Sequence, residues 1–217
     1  MLGNINNVKD INDLLTKEEV LSLDNIFNEV NLEIQLNKAK NHNLSNEDTD
    51  NIINTLRIRP KLLYYLSKYN NCLNVAEVGT AKGLQSLSFS KNKLIENIYT
   101  CDIVDYKSSL IDETSNIHFV KGDSSELSKK ILDSDKIIDL FWIDGAHDHY
   151  SVITDFVNLL KVSHKNSIWI FDDFDNRFGC YYDISVLIKA SKEHIIIDLG
   201  KTASGNPNRI VICKGLK

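Results

Sequence analysis

From residue 73 onward the sequence alternates between short apolar runs and polar stretches, and this alternation limits the fold more than any other feature. The runs are "LNVAEV", "NIYTCDI", "IHFV", "IIDLFWI", "SIWIF", "HIIIDL" and "RIVIC", with helical or turn-rich segments between the first six. Strands buried on both faces read as continuous apolar runs, and strand-helix alternation implies a parallel sheet covered by helices. The last two runs are separated only by "GKTASGNPN", too short for a crossover helix. The expectation is an α/β, doubly wound, Rossmann-like sheet of seven strands, mostly parallel, with the last strand antiparallel.

The chain of 217 residues suits one such domain, taken here as residues 60–217 and preceded by a helical extension over 1–59. Within the extension, Thr16 followed by Glu19 is a capping-box pattern that predicts a helix start. "NHNLSNEDTD" reads as a loop leading into another helix, with Pro60 in a first turn. The start "MLGNINNVKDINDLL" has neither a charged leader nor a continuous apolar stretch, so a cytoplasmic protein without membrane contact is expected. Net charge is −5 from 25 basic and 30 acidic residues, with no basic stripe, which argues against nucleic acid as a partner. Cys72, Cys101, Cys180 and Cys213 form no C-x-x-C pair and read as reduced, mostly buried thiols.

In an open sheet of this kind ligands collect beyond the carboxyl ends of the strands. Glu77, Asp102, Asp123, Asp144, Asp172 and Asp173 all fall at or just past such ends. "VAEVGTAKGLQS" is a strand, a turn with Gly79 and Gly83, and a helix start, but it lacks the middle glycine of a dinucleotide fingerprint. An acid beside that turn repels phosphate and suits a ligand with an ammonium or sulfonium charge. Asp102, nineteen residues past Gly83, is placed for ribose hydroxyls, and "KGDSSEL" puts Asp123 and Ser124 near a base.

Asp144 closes the fourth run and Asp172 and Asp173 the fifth. Neighbouring strands lie about 4.8 Å apart, so these ends can converge. Carboxylates gathered without a basic partner repel one another unless a cation neutralises them, and oxygen ligands favour a hard ion such as magnesium. Asp144, Asp172 and Asp173 are thus candidate metal ligands. Alternatively, Asp144 caps the following turn and Asp173 is solvated. His147 is a candidate base, His149 reads as solvent-facing or helix-capping, and Asp155 as a solvated or structural charge.

With "EVGTAKG", "CDI" and "GDS" in this order, roughly residues 60–217 resemble the class I S-adenosylmethionine-dependent methyltransferases. "DGAH", followed 28 and 29 residues after Asp144 by Asp172 and Asp173, is similar to the macrocin-type sugar O-methyltransferases and, more distantly, to the catechol and caffeoyl-CoA type. The resemblance implies that Glu77 and Gly79 lie by the methionine part of S-adenosylmethionine, Asp102 by its ribose, and Asp123 with Ser124 by its adenine, with Thr80, Gly83, Ser86 and Asp144 also binding the cofactor. It implies Mg2+ or another divalent cation, His147 as general base with Asp144 catalytic, a small hydroxylated acceptor such as a sugar or other vicinal diol, and a homo-oligomer. A metal-independent methyltransferase and a nicotinamide-dependent oxidoreductase are the alternatives. Acceptor choice is expected to lie in the N-terminal region and in the loops around 174–182 and 201–208.

Overall fold

The computed structural model describes residues 8–30, 46–201 and 206–216. A 3-10 turn at Val8–Leu14 leads to α1 (Lys17–Glu29), whose capping box pairs the Thr16 side chain with the Glu19 backbone and the Glu19 carboxylate with the Thr16 N–H. Helix α2 (Asn46–Tyr69) follows, then β1 (Asn74–Val78), α3 (Leu84–Ser90), β2 (Asn97–Asp102), α4 (Ser109–Glu113) and β3 (Ile117–Lys121). The second half is α5 (Ser124–Asp133), β4 (Ile138–Ile143), α6 (Ser151–Leu160), β5 (Ser163–Phe171), α7 (Cys180–Ala190), β6 (Glu193–Lys201) and β7 (Pro207–Lys214). All seven apolar runs are strands.

The sheet order is β3-β2-β1-β4-β5-β7-β6, with β1 to β5 parallel and β7 antiparallel to both of its neighbours. The order reverses between β1 and β4, which is where an open sheet forms its ligand crevice. Side-chain alternation sends Val75, Leu140, Trp142, Ile168 and Ile170 to one face, against Leu62, Leu63 and Leu66 of α2 and Leu84 and Leu87 of α3. Ala76, Phe141, Ile143, Trp169 and Phe171 face the other way, against Leu127 and Ile131 of α5, Leu159 of α6 and Ile184 of α7. Two apolar faces on each central strand explain why the runs carry so little polar alternation.

The N-terminal segment differs from the expected picture. Pro60 was placed in a first turn but lies well inside α2. A proline there cannot donate to the carbonyl of Leu56. The fully buried Leu62, Leu63 and Leu66 anchor the helix to the sheet on the C-terminal side of that gap. The position taken as the end of the extension, residue 59, therefore sits mid-helix. Helix α1 packs Leu23, Ile26 and Phe27 into the same apolar cluster as β1. It is also tied to α2 by Lys61 Nζ at 3.1 Å from Asp24 and by Lys68 and Tyr64 on Glu19. All four cysteines are free and buried, as expected. No described helix is long and apolar enough to cross a membrane.

Candidate active site

A cavity of about 820 Å³ opens beyond the carboxyl ends of β1, β2, β4 and β5. Its first wall is the turn after β1. Gly79 has φ +94°, and a Cβ there would lie 2.0 Å from the backbone oxygen of Asp144, so only glycine lets the β1 and β4 ends close together. The Gly79 and Thr80 N–H groups donate to the Cys101 carbonyl, and the Asp144 N–H donates to that of Val78. Asp102 Oδ2 accepts from Ala81 N at 2.9 Å, so the acid ending β2 holds the turn while lining the cavity. Asp123 also lines the cavity, and its Oδ1 caps α5 through the Ser125 and Glu126 N–H groups.

Glu77 and Ser86 stand behind this wall and do not line the cavity. Glu77 is fully buried; its Oε2 accepts from Ser86 Oγ and, at 2.7 Å, from Thr100 Oγ1, which also bonds Thr80 Oγ1. Its Oε1 is buried without a partner. Burial pushes this carboxyl up from 4.5 to about 7, against the hydrogen bonds from Ser86 and Thr100. Asp155, expected to be solvated or structural, is mostly enclosed on the cavity wall, and burial raises it to about 6 despite a hydrogen bond with Ser124.

The opposite wall gathers Asp144, His147 and Asp173, each offering a ligand atom within 4.8 Å of the others. His147 Nε2 lies 2.7 Å from Asp173 Oδ2, and the ring leans on Phe178 with centroids 5.0 Å apart. Asp173 has φ +52°, a conformation that costs a non-glycine residue about 1 kcal/mol or more and here aims its carboxylate at His147. The hydrogen bond with Asp173 raises the His147 pKa. Burial works to raise Asp173, but that bond, the His147 charge and Arg59 outweigh it and hold the carboxyl below its ordinary range. Burial, then the neighbouring Asp172 charge, push Asp144 well above it.

Asp172 hydrogen-bonds Asp144 and also has a partner that the sequence did not show. Arg59, from α2, places Nη2 at 3.0 Å from Asp172 Oδ2, 3.2 Å from Oδ1 and 3.0 Å from Asn208 Oδ1 of β7. The premise that the carboxylates lack a basic neighbour is therefore overturned. Three acids share one guanidinium and one imidazole, and burial with mutual repulsion pushes Asp144 up and Asp172 to about 6. An oxygen-rich donor set with one imidazole, crowded in this way, fits a divalent cation. The turn around Gly79 and the Asp102 and Asp123 carboxylates along the same cavity fit a nucleoside bearing a positive charge.

His149, expected to be solvent-facing or helix-capping, is half exposed and pairs through Nδ1 with the buried Asp183 at 3.1 Å. It also stacks on Tyr150 with centroids 4.0 Å apart. Gly179, where a Cβ would meet the His149 backbone nitrogen at 2.4 Å, lets α7 approach this rim. Residues 202–205, part of the loop expected to influence acceptor choice, lie outside the described residues.

Residues 76–174, from β1 to just past Asp173, match the family model described as a methyltransferase domain. That stretch, under half of the chain, is similar to methyltransferase domains. Similar solved structures share its fold at low identity. An O-methyltransferase from Bacillus cereus in complex with SAH is 16% identical, with 95% of each chain covered and a TM-score of 0.62. TomG from Streptomyces achromogenes, involved in tomaymycin synthesis and solved with SAM, is 15% identical over 72% of this chain and 79% of its own, at 0.56. MycE from the mycinamycin biosynthetic pathway, solved with Mg and SAH, is 18% identical over 70% of this chain and 47% of its own, at 0.53. No curated protein matches the sequence. The Gly79 turn, Asp102, Asp123, Asp144, His147 and Asp173 lie within the matched stretch; Arg59 and Asn208 lie outside it.

Proposed function

We propose that the protein is an S-adenosylmethionine-dependent O-methyltransferase that seats a small hydroxylated acceptor with the help of a divalent cation. The observation that carries this reading is the presence in one cavity of the turn at Gly79 with Asp102 and Asp123 on one side and the Asp144, His147 and Asp173 group on the other. The fold shared with O-methyltransferases solved with SAM or SAH, and with MycE solved with Mg, supports the pairing of cofactor and cation.

Gly79 and Thr80 would hold the methionine end of the cofactor, Asp102 the ribose, and Asp123 with Ser124 the adenine, while Glu77 and Ser86 brace the turn from behind and Gly83, packed against Ile111, starts α3. Asp144 and Asp173 would hold the cation. S-adenosylmethionine supplies an electrophilic methyl group, and a divalent cation makes a nearby hydroxyl more acidic and fixes its direction. Asp173 holds the His147 ring and stabilises its charged form, so that His147 can accept the proton of the acceptor hydroxyl. The half-exposed imidazole at the cavity wall gives that proton a path to solvent.

The spacing within 4.8 Å favours a second reading, in which His147 is a third donor to the cation. The two readings separate in His147→Ala: loss of a base lowers kcat with cation affinity kept, whereas loss of a donor lowers both. The reading as a whole is tested by incubating the protein with methyl-labelled S-adenosylmethionine and a panel of vicinal diols, sugars and phenols, with magnesium and with a chelator. Transfer that needs magnesium supports it; transfer unaffected by the chelator leaves a metal-independent methyltransferase, and no transfer or cofactor binding removes the assignment. The expected homo-oligomer is tested by light scattering.

A further inference from the structure

Three aspartates approach the cavity from β4 and β5, yet they are not equivalent. The Asp172 side chain is 2% exposed and both of its oxygens face Arg59 Nη2, whereas Asp173 is 18% exposed and His147 46%. Arg59 is itself enclosed: its guanidinium lies 5.8 Å from the Trp142 ring centre, its Nη2 also donates to Asn208, and its Nε is buried without a partner. Were Asp172 to turn to a cation, this guanidinium would keep only a neutral amide, and a buried charge that loses its counter-ion is strongly destabilising. The cation would also sit beside a fixed positive charge.

We propose that Arg59 is a positioning residue that withholds Asp172 from the cation site, leaving a site built from Asp144 and Asp173 with His147 beside them. The charges then balance: Arg59 cancels Asp172, and the two remaining carboxylates match a divalent ion. The inference rests on the cation reading above and changes its ligand set. It also gives α2 a part in the chemistry, because the residue that shapes the charge of the site lies N-terminal to the stretch matched by the family model.

The test is a titration of the metal-stripped, full-length protein with Mn2+, followed by the loss of the free-ion spin resonance signal, alongside thermal melting of each metal-free variant. Asp144→Asn and Asp173→Asn should each weaken Mn2+ binding by more than about 100-fold, and Asp172→Asn, which removes no ligand but leaves Arg59 uncancelled, by only about 10-fold. Arg59→Met should lower the melting temperature of the metal-free protein yet bind Mn2+ more tightly than the wild type, because a third carboxylate is released. A purely structural Arg59 would give the opposite change in affinity. Adding Asp172→Asn to Arg59→Met should return affinity towards the wild-type value. If either single variant does not fold, the double variant, which removes both buried charges together, decides the question by keeping Mn2+ affinity near the wild-type value. Loss of Mn2+ binding in Asp172→Asn as complete as in Asp144→Asn, or weaker binding in Arg59→Met, would overturn the proposal while leaving the cation reading intact. A wild type that binds no Mn2+ would overturn both.

Discussion

The two walls of the cavity keep carboxyl groups out of water in different ways. Behind the β1 wall, Glu77 has hydroxyl donors and no cation, and burial drives it towards the neutral acid. At the β4 and β5 wall, Asp172 has a buried guanidinium, while Asp144 and Asp173 converge on His147. The first arrangement is complete without a ligand and braces a turn. On the proposed reading the second is completed by a cation, and that asymmetry would separate a scaffold acid from site acids although all lie at strand ends of one sheet.

The largest effect is expected where the walls touch. Gly79→Ala puts a Cβ into the Asp144 backbone at a φ that alanine avoids, so we expect it to destabilise the protein by about 4 kcal/mol. It should also abolish binding of S-adenosylhomocysteine. Denaturant unfolding and calorimetry measure the two, and a near-neutral result would mean that the walls are not rigidly joined. Next, Asp144→Asn should leave the fold intact and cut magnesium-dependent methyl transfer by about 1,000-fold, roughly 4 kcal/mol in the barrier. Unchanged turnover would make the second wall as inert as the first.

On the first wall the sign of the pH effect is set by the raised Glu77 carboxyl. Its contribution to stability is fully present below about 4.5, the unfolded value, and lost as pH rises through about 7. Glu77→Gln removes that dependence. The variant should match the wild type near pH 4.5 and exceed it at pH 8 by up to about 3 kcal/mol. Parallel stability curves would show that Glu77 is ionised at low pH after all.

Far from both walls, Glu19 gives a smaller effect of opposite sign. Burial works to raise its carboxyl, but hydrogen bonds from Lys68, Thr16 and Tyr64 hold it at about 2. Its contribution is present above about 4.5 and lost as pH falls towards about 2. Glu19→Gln should cost about 1 kcal/mol at pH 7 and nothing at pH 2, as read from urea midpoints.

The sheet was legible because strands buried on both faces need uninterrupted apolar runs, and the hairpin of β6 and β7 because nine residues cannot hold a crossover. The cavity walls were legible because acids end those runs. Arg59 and Asn208 were not, since a basic residue in an amphipathic helix and an asparagine near the start of the last strand carry no local signal; only the closure of α2 and β7 onto β5 brings them to Asp172. Pro60 was misplaced because local propensity favours a helix start, whereas packing of Leu62, Leu63 and Leu66 carries the helix through it. Asp155 read as a charge on an ordinary helix, and only the approach of α6 to the start of α5 encloses it.

The most direct test of the account is a calorimetric titration of the metal-stripped protein with S-adenosylmethionine and, separately, with magnesium, for the wild type and Asp144→Asn. The account predicts that the wild type binds both and that the variant loses magnesium. Cofactor binding with no magnesium binding in the wild type would contradict the cation-assisted mechanism, and failure to bind the cofactor under any condition would contradict the assignment to methyl transfer.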